Sequence, residues 1–187
     1  KKDCLAVGCD KAVLVCDPAC ADLDEAGVAA VLAAALRQES YDLILCGKQA
    51  IDDDAAQVGV RVAEILGLPH VAVVTKLELG AGELTAHREI EGGVEVVRAS
   101  LPALVTCQKG LNEPRLPSLP NIMKAGAKPM KVVTCADLGV TPPARTYEIK
   151  RYAPPPAREA CKVIPGDDPA AAAAELARLL REEAKVI

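Results

Sequence analysis

The segment Gly47-Lys48-Gln49-Ala50-Ile51-Asp52-Asp53-Asp54-Ala55-Ala56-Gln57-Val58 holds the residues best suited to chemistry on a ligand, and that chemistry would be the binding of a phosphate group. It follows the strand-like run Asp42 to Cys46, apolar from Leu43 onward, and leads into helical periodicity that stops at Leu66. In an open α/β sheet, the carboxyl end of a strand beside a helix N-terminus is a natural phosphate site. The first helical amides there are unpaired, and the helix dipole favours an anion. Gly47 lets the backbone turn closely, and the Gln57 amide can donate a hydrogen bond. Asp52, Asp53 and Asp54 pull the other way, because three carboxylates repel phosphate. Two roles stay open for them: capping the helix and complementing its dipole, or accepting a ribose hydroxyl. Neither a G-x-G-x-x-G nor a Walker motif is present, so these residues alone leave nucleotide binding as one candidate among others.

Nothing else in the sequence groups into a catalytic set. Ser40, Ser100 and Ser118 have no local base, His87 reads as a surface residue on a strand, and no carboxylates stand as an acid/base pair. Of the eight cysteines, Cys4, Cys9, Cys16 and Cys20 lie closest together, but no C-x-x-C occurs and His70 and His87 sit apart. No metal is expected, and scattered thiols suit a reducing compartment better than a disulfide framework. Cys46 and Cys107 end apolar runs, where cysteine behaves as a small hydrophobe.

Holding Gly47 to Val58 in place requires a strand before it and a helix after it, and the pattern supplies both. Ala6 to Val15 reads as a helix tail entering a strand, with the strand over Ala12 to Cys16. A helix capped by Asp22 runs to about Gln38, its apolar face being Val28, Val31, Leu32, Ala35 and Leu36. Asp42 to Cys46 is a strand, apolar from Leu43 onward and expected to be buried on both faces. A helix from about Asp54 to Leu66 ends at Gly67, with Pro69 enforcing the stop. This alternation predicts a doubly wound, mostly parallel sheet of Rossmann-like, nucleotide-binding type. Val71 to Leu79, Glu83 to Ile90 and Val94 to Arg98 then read as strands joined by Gly80-Ala81-Gly82 and Gly92-Gly93, an antiparallel extension. Leu101 to Cys107 returns to the core, and Lys131 to Thr134 adds a short strand before a turn at Ala136 to Gly139. Ala153 to Pro156 is a stiff linker. Asp167 or Asp168 caps an Ala-rich helix to about Glu183, whose face of Ala173, Leu176, Leu179 and Leu180 needs a surface to cover.

A second segment of interest, Leu111 to Lys124, leaves the core strand through Pro114, Pro117 and Pro120. Proline fixes φ and removes a donor, which pushes the chain into an extended excursion. Leu116, Leu119, Ile122 and Met123 give it apolar weight. Two readings stand side by side: a long connection folded onto its own domain, or a rigid docking element whose pre-ordering lowers the entropic cost of association.

Composition narrows the class. At 187 residues with 51% hydrophobic and 26% charged residues, the chain can bury one sizeable core. It has three Tyr and neither Phe nor Trp, so the core must be aliphatic and a base-stacking nucleic-acid surface is disfavoured. A net charge of −4 without a basic block gives no case for DNA or membrane binding, and no apolar run is long enough to span a bilayer.

Three motifs, in order, resemble the electron transfer flavoprotein beta-subunit family: Gly47 to Asp54, Arg88-Glu89-Ile90-Glu91-Gly92-Gly93, and the proline-rich Leu111 to Lys124. The likeness covers most of the chain and is weakest beyond Thr141. It implies an electron carrier, not an enzyme, in a heterodimer with an alpha subunit that holds most contacts to a redox-active FAD. Gly47 through Val58 would contact a structural AMP. Some family members hold a second FAD here and bifurcate electrons, with Arg-Gln-Ala-Ile-Asp-Gly-Asp wording; Lys48 and Asp53 at the differing positions favour AMP. Glu89 would face the flavin-bearing part of the alpha subunit. Leu116, Leu119, Ile122 and Met123 would engage electron donors, namely acyl-CoA dehydrogenases or related flavin dehydrogenases, with Leu119 as the anchor. Electrons would leave towards a membrane quinone oxidoreductase, in the bacterial cytoplasm or in the mitochondrial matrix. The family often has more lysines after the loop than Lys124, Lys128 and Lys131, which weakens any steering role there. Residues 1–140 would form the α/β domain and 141–187 an arm contacting the alpha subunit. Set against the family, the first quarter to third of the subunit, with its first strand, is expected to lie ahead of Lys1. A stand-alone nucleotide-binding module of the universal-stress type is the competing class.

Overall fold

The computed structural model describes residues 2–158, 160–164, 166 and 168–187. They form two compact units, Lys1–Glu148 and Ile149–Ile187. The first contains helices α1 (Lys2–Val7), α2 (Glu25–Leu36), α3 (Val58–Leu66) and α4 (Leu119–Ala125). Its strands are β1 (Ala12–Val15), β2 (Leu43–Gly47), β3 (His70–Leu79), β4 (Glu83–Ile90), β5 (Gly93–Ser100), β6 (Ala103–Cys107) and β7 (Met130–Val133).

β2, β6 and β3 are neighbouring parallel strands, and β3, β4 and β5 continue the same sheet antiparallel. This is the α/β class and the antiparallel extension expected from the sequence. The β4–β5 turn is two residues long, with Gly92 at φ 79°, a conformation costly for any other residue. One feature differs from a single continuous sheet. β1 pairs only with β7, also in parallel, in a sheet of its own. A 500 Å³ groove lined by Val13, Val15, Leu32, Leu36, Val58 and Val62 lies between β1 and the α2–α3 layer.

The core is built on β6, whose side chains alternate across the sheet. Ala103 and Val105 pack with Val71, Val74, Leu84 and Ala86 on one face. Leu104 packs on the other with Ala29, Ile44, Val62 and Ala63, contributed by α2, β2 and α3. β2 does not match the expectation of two buried faces. It is an edge strand, and Leu45 is 56% exposed. β3 carries a register shift between Val71 and Val74, where Val73 has φ 61°. The buried Thr106 hydroxyl accepts the Val73 amide there at 3.0 Å.

Helix α2 is capped by Asp24, not Asp22: the Asp24 carboxylate accepts the Gly27 amide at 2.9 Å. Thr146 decides the position from far along the chain, donating its amide (3.0 Å) and hydroxyl (2.8 Å) to the same carboxylate. These bonds, that of Gly27 first, hold the Asp24 pKa down at about 2. The face of α2 is also shifted. Ala29 and Ala33 are fully buried while Leu32 is 40% exposed, because an Ala-rich helix has little periodic contrast and its small residues pack closest. Gly67 ends α3 in the left-handed conformation with the Leu68 amide bonded back to Ala63 O, as expected.

In the second unit, residues 149–168 have no regular structure where described, and α5 (Pro169–Glu182) follows. Asp168 caps it by accepting the Ala170 amide, while the alternative Asp167 lies outside the described residues. Arg178 bridges Glu175 and Glu182, both at 2.7 Å, along the exposed face. Leu179 is buried, whereas Ala173 and Leu176 of the expected face are exposed. The first unit extends to Glu148, since the Thr146–Asp24 bonds tie the residues just beyond 140 to α2.

Candidate functional site

β2 and β6 end side by side, with Gly47 opposite Cys107 and the Lys48 amide donating to Cys107 O at 3.0 Å. Two cavities open at these carboxyl ends, the position at which open α/β sheets receive ligands. The first, of 310 Å³, is lined by Gly47 to Ala50, Asp53, and Ala55 to Gly59. Nine of the twelve residues singled out in the sequence therefore share one wall. Ile51, Asp52 and Asp54 do not: they are exposed and outside the lining.

The loop is not the start of a helix. Asp54 (φ 55°) and Ala56 (φ 53°) are left-handed, which L-residues cannot propagate as a right-handed helix, so α3 starts at Val58 and not near Asp54. The three aspartates brace this turn and do not cap α3. Asp52 accepts the Asp53 amide and Asp53 the Ala55 amide, each at 3.2 Å, while Asp54 accepts from the Gln49 side chain. Gln57 occupies the N-cap position of α3, but its side chain makes no cap. Its Oε1 instead accepts from Arg61 Nε and Nη2 at 3.1 and 2.7 Å. The first turn of α3, on the cavity wall, is thus left without a side-chain cap. Gly59 places that turn hard against the sheet, since a Cβ there would lie 2.9 Å from Thr106 Cγ2 and 3.4 Å from Cys46 Cβ. A Cβ at Gly47 would meet nothing within 4 Å. Behind the loop, burial pushes the Cys46 and Cys107 thiols up, with mutual repulsion adding to the shift at Cys46.

The second cavity, of 370 Å³, lies beyond β6 between Leu45 and residues 107–114. Sequence reasoning passed over Gln108 to Gly110. The available signal was Gly110 three residues after a core strand, and its φ of 97° turns the chain there.

The proline segment is extended only as far as Ser118. From Leu119 it coils into α4, because Pro120 falls in the first turn, where no amide donor is required. Ala125 is buried with Leu5 and Ala6 of α1, and Lys128 Nζ donates to Leu5 O (2.8 Å) and Cys9 O (2.6 Å) at the end of that helix. Lys128 is therefore a brace and not part of a free basic tail. The opposite side of the segment is open: Leu116 is 94%, Leu119 71%, Ile122 51% and Met123 76% exposed. Glu89 is exposed on β4 opposite Val94, and its neighbour Arg88 bonds Glu95 across the hairpin at 3.4 Å.

A family model described as an electron transfer flavoprotein domain matches residues 1–138. The chain belongs to the electron transfer flavoprotein family. Its curated relatives place it with the beta subunits. The electron transfer flavoprotein subunit beta of Bacillus subtilis (strain 168) is 44% identical over 189 residues, covering 98% of this chain and 72% of that protein. The Bos taurus subunit beta is 40% identical over 178 residues, covering 94% and 69%. Subunit CarD of the caffeyl-CoA reductase–Etf complex of Acetobacterium woodii is 36% identical over 188 residues, covering 97% and 72%. Membership in this family carries an electron-transfer role and a paired alpha subunit.

Among the described residues no group of three or more His, Cys, Asp or Glu side chains could hold a metal ion. Among the same residues no helix is long and apolar enough to cross a membrane.

Proposed function

We propose that the chain is the beta subunit of a heterodimeric electron carrier. It holds AMP structurally in the 310 Å³ cavity, while its alpha partner holds most of the contacts to a redox-active FAD. The heterodimer accepts electrons from acyl-CoA dehydrogenases or related flavin dehydrogenases and delivers them to a quinone oxidoreductase. The observation that carries this reading is the cavity at the end of β2, walled by the uncapped first turn of α3. Its residues fit a mononucleotide. The α3 amides and Lys48 suit a phosphate, and Asp53, on the wall, suits a ribose hydroxyl. Ala55, Ala56 and Val58 offer the apolar surface a base needs. Ligand pockets span about 300 to 1,000 Å³, and this one falls within that range. Leu116, Leu119, Ile122 and Met123 form the docking face for the dehydrogenase. Glu89 and the arm beyond residue 148, with Leu176 exposed on α5, face the alpha subunit.

A second reading has one observation in its favour: a relative named as a subunit of a reductase–Etf complex. In it, FAD would occupy the AMP position. Cofactor content of the co-purified heterodimer separates the two. One FAD and one AMP per heterodimer supports the carrier; two FAD and no AMP supports the alternative. A chain that binds ATP without any alpha partner would overturn both.

A further inference from the structure

We propose that Cys20 and Cys135 form a thiol–disulfide site that a hydroperoxide closes and a small thiol reopens. β1 and β7 run in parallel, so both deliver their carboxyl ends to the same place. Cys20 closes the short turn Pro18–Cys20 after β1, and Cys135 follows β7 by two residues. Their sulfurs lie 3.4 Å apart although 115 positions separate them in sequence. A disulfide needs about 2.05 Å, so small side-chain movements complete the bond.

The backbone is already fixed for it. Asp17 accepts the Ala19 amide with one carboxylate oxygen and the Cys135 amide with the other, each at 2.9 Å. The Cys16 amide adds a bond to Val133 O, also at 2.9 Å. A metal is the weaker use of this pair, since a structural zinc site takes four ligands and the described residues bring no third one here.

Access assigns the roles. Cys20 is half-buried and meets the oxidant, whereas Cys135 is 5% exposed and resolves. Burial, with the Cys20 contact, holds the Cys135 thiol up at about 11, which suits a group that does not make the first attack. In the first step Cys20 sulfur attacks a peroxide oxygen. The S–O bond forms, the O–O bond breaks, and the other oxygen leaves as water or alcohol with the thiol proton. Cys135 sulfur then attacks Cys20 sulfur. The S–S bond forms, the S–O bond breaks, and the hydroxyl leaves as water with the Cys135 proton. The chain gives up two protons and two electrons, which reduce the peroxide. Two equivalents of a thiol such as glutathione reverse the change through a mixed disulfide.

The test is a hydrogen peroxide titration of the intact protein, with alkylation after unfolding and peptide mass spectrometry. The expected result is a Cys20–Cys135 linked peptide at the lowest doses, loss of these two alkylatable thiols, and their recovery with glutathione. In C135S, Cys20 should persist as a sulfenic acid that dimedone captures; in C20S, Cys135 should stay a thiol at the same dose. The proposal fails if Cys20 and Cys135 remain free after the exposed Cys4, Cys9, Cys16 and Cys161 have oxidised. It fails equally if Cys20 links to Cys16.

Discussion

Thr106 connects two features of this fold through one buried side chain. Its hydroxyl accepts the Val73 amide where β3 is irregular, its methyl limits how close Gly59 may come, and it is itself 3% exposed. Replacing it by valine keeps the volume but strands a half-buried backbone donor, which costs about 1 to 3 kcal/mol. We expect T106V to unfold at lower urea with an unchanged m-value and T106S, which keeps the hydroxyl but loses one buried methyl, to lose less; a T106S midpoint at or below that of T106V would refute the role. Asp24 allows a test in pH. Its folded pKa of about 2 lies below the ordinary 3.8, so the fold favours the charged form. That contribution is complete above about pH 4 and drains away as pH falls through 2. D24N keeps an oxygen for Gly27 but loses the charge shared with Thr146. Its stability should therefore start lower at neutral pH and fall less between pH 4 and 2. Parallel acid-unfolding curves for the two proteins would exclude Asp24 as the titrating group.

Local rules reached elements where local forces decide, and failed where a distant contact or an unusual φ decides. The β3–β4–β5 hairpins and the Gly67 stop of α3 were legible because each is set by residues in the turn itself. The α2 cap was misplaced because Thr146, unseen from the helix, selects Asp24 over Asp22. The start of α3 was misplaced because left-handed Asp54 and Ala56 leave no mark in residue type. Most of the cavity wall was legible as a motif, yet which aspartate lines it was not, since that depends on the turn. The same element offers a discriminating pair of variants. In G59A the new methyl meets the buried, β-branched Thr106, so the first turn of α3 must move off the sheet, at about 1 to 3 kcal/mol for overpacking. In G67A the strain of a left-handed alanine costs about 1 kcal/mol but leaves the cavity wall in place. If AMP fills the cavity as proposed, G59A should co-purify with less of it than the parent and G67A with the parent's amount. Equal AMP content in both would separate α3 placement from nucleotide retention.

At the scale of the molecule, the question is whether the exposed apolar side of the proline segment works as a surface or merely happens to be uncovered. The packing beneath it argues for a surface. Ala125 and Lys128 fasten α4 and its following turn to α1, so Leu119, Ile122 and Met123 are held outward on a fixed support. Such pre-ordering favours a transient partner, because little entropy remains to be lost on contact. With 71% of its surface exposed, Leu119 contributes little to the fold, and L119A should leave melting and alpha-subunit assembly unchanged. If it is the anchor, truncating it weakens the dehydrogenase encounter on the order of tenfold. The loss should appear as a raised KM for the carrier. A125D makes the complementary case. It keeps every exposed side chain but buries a charge between α4 and α1, so it should reproduce the kinetic defect only by loosening the support, with a lowered melting temperature. Normal dehydrogenase kinetics in L119A would remove Leu119 as the anchor. Normal kinetics in a destabilised A125D would show that the face acts without its rigid support.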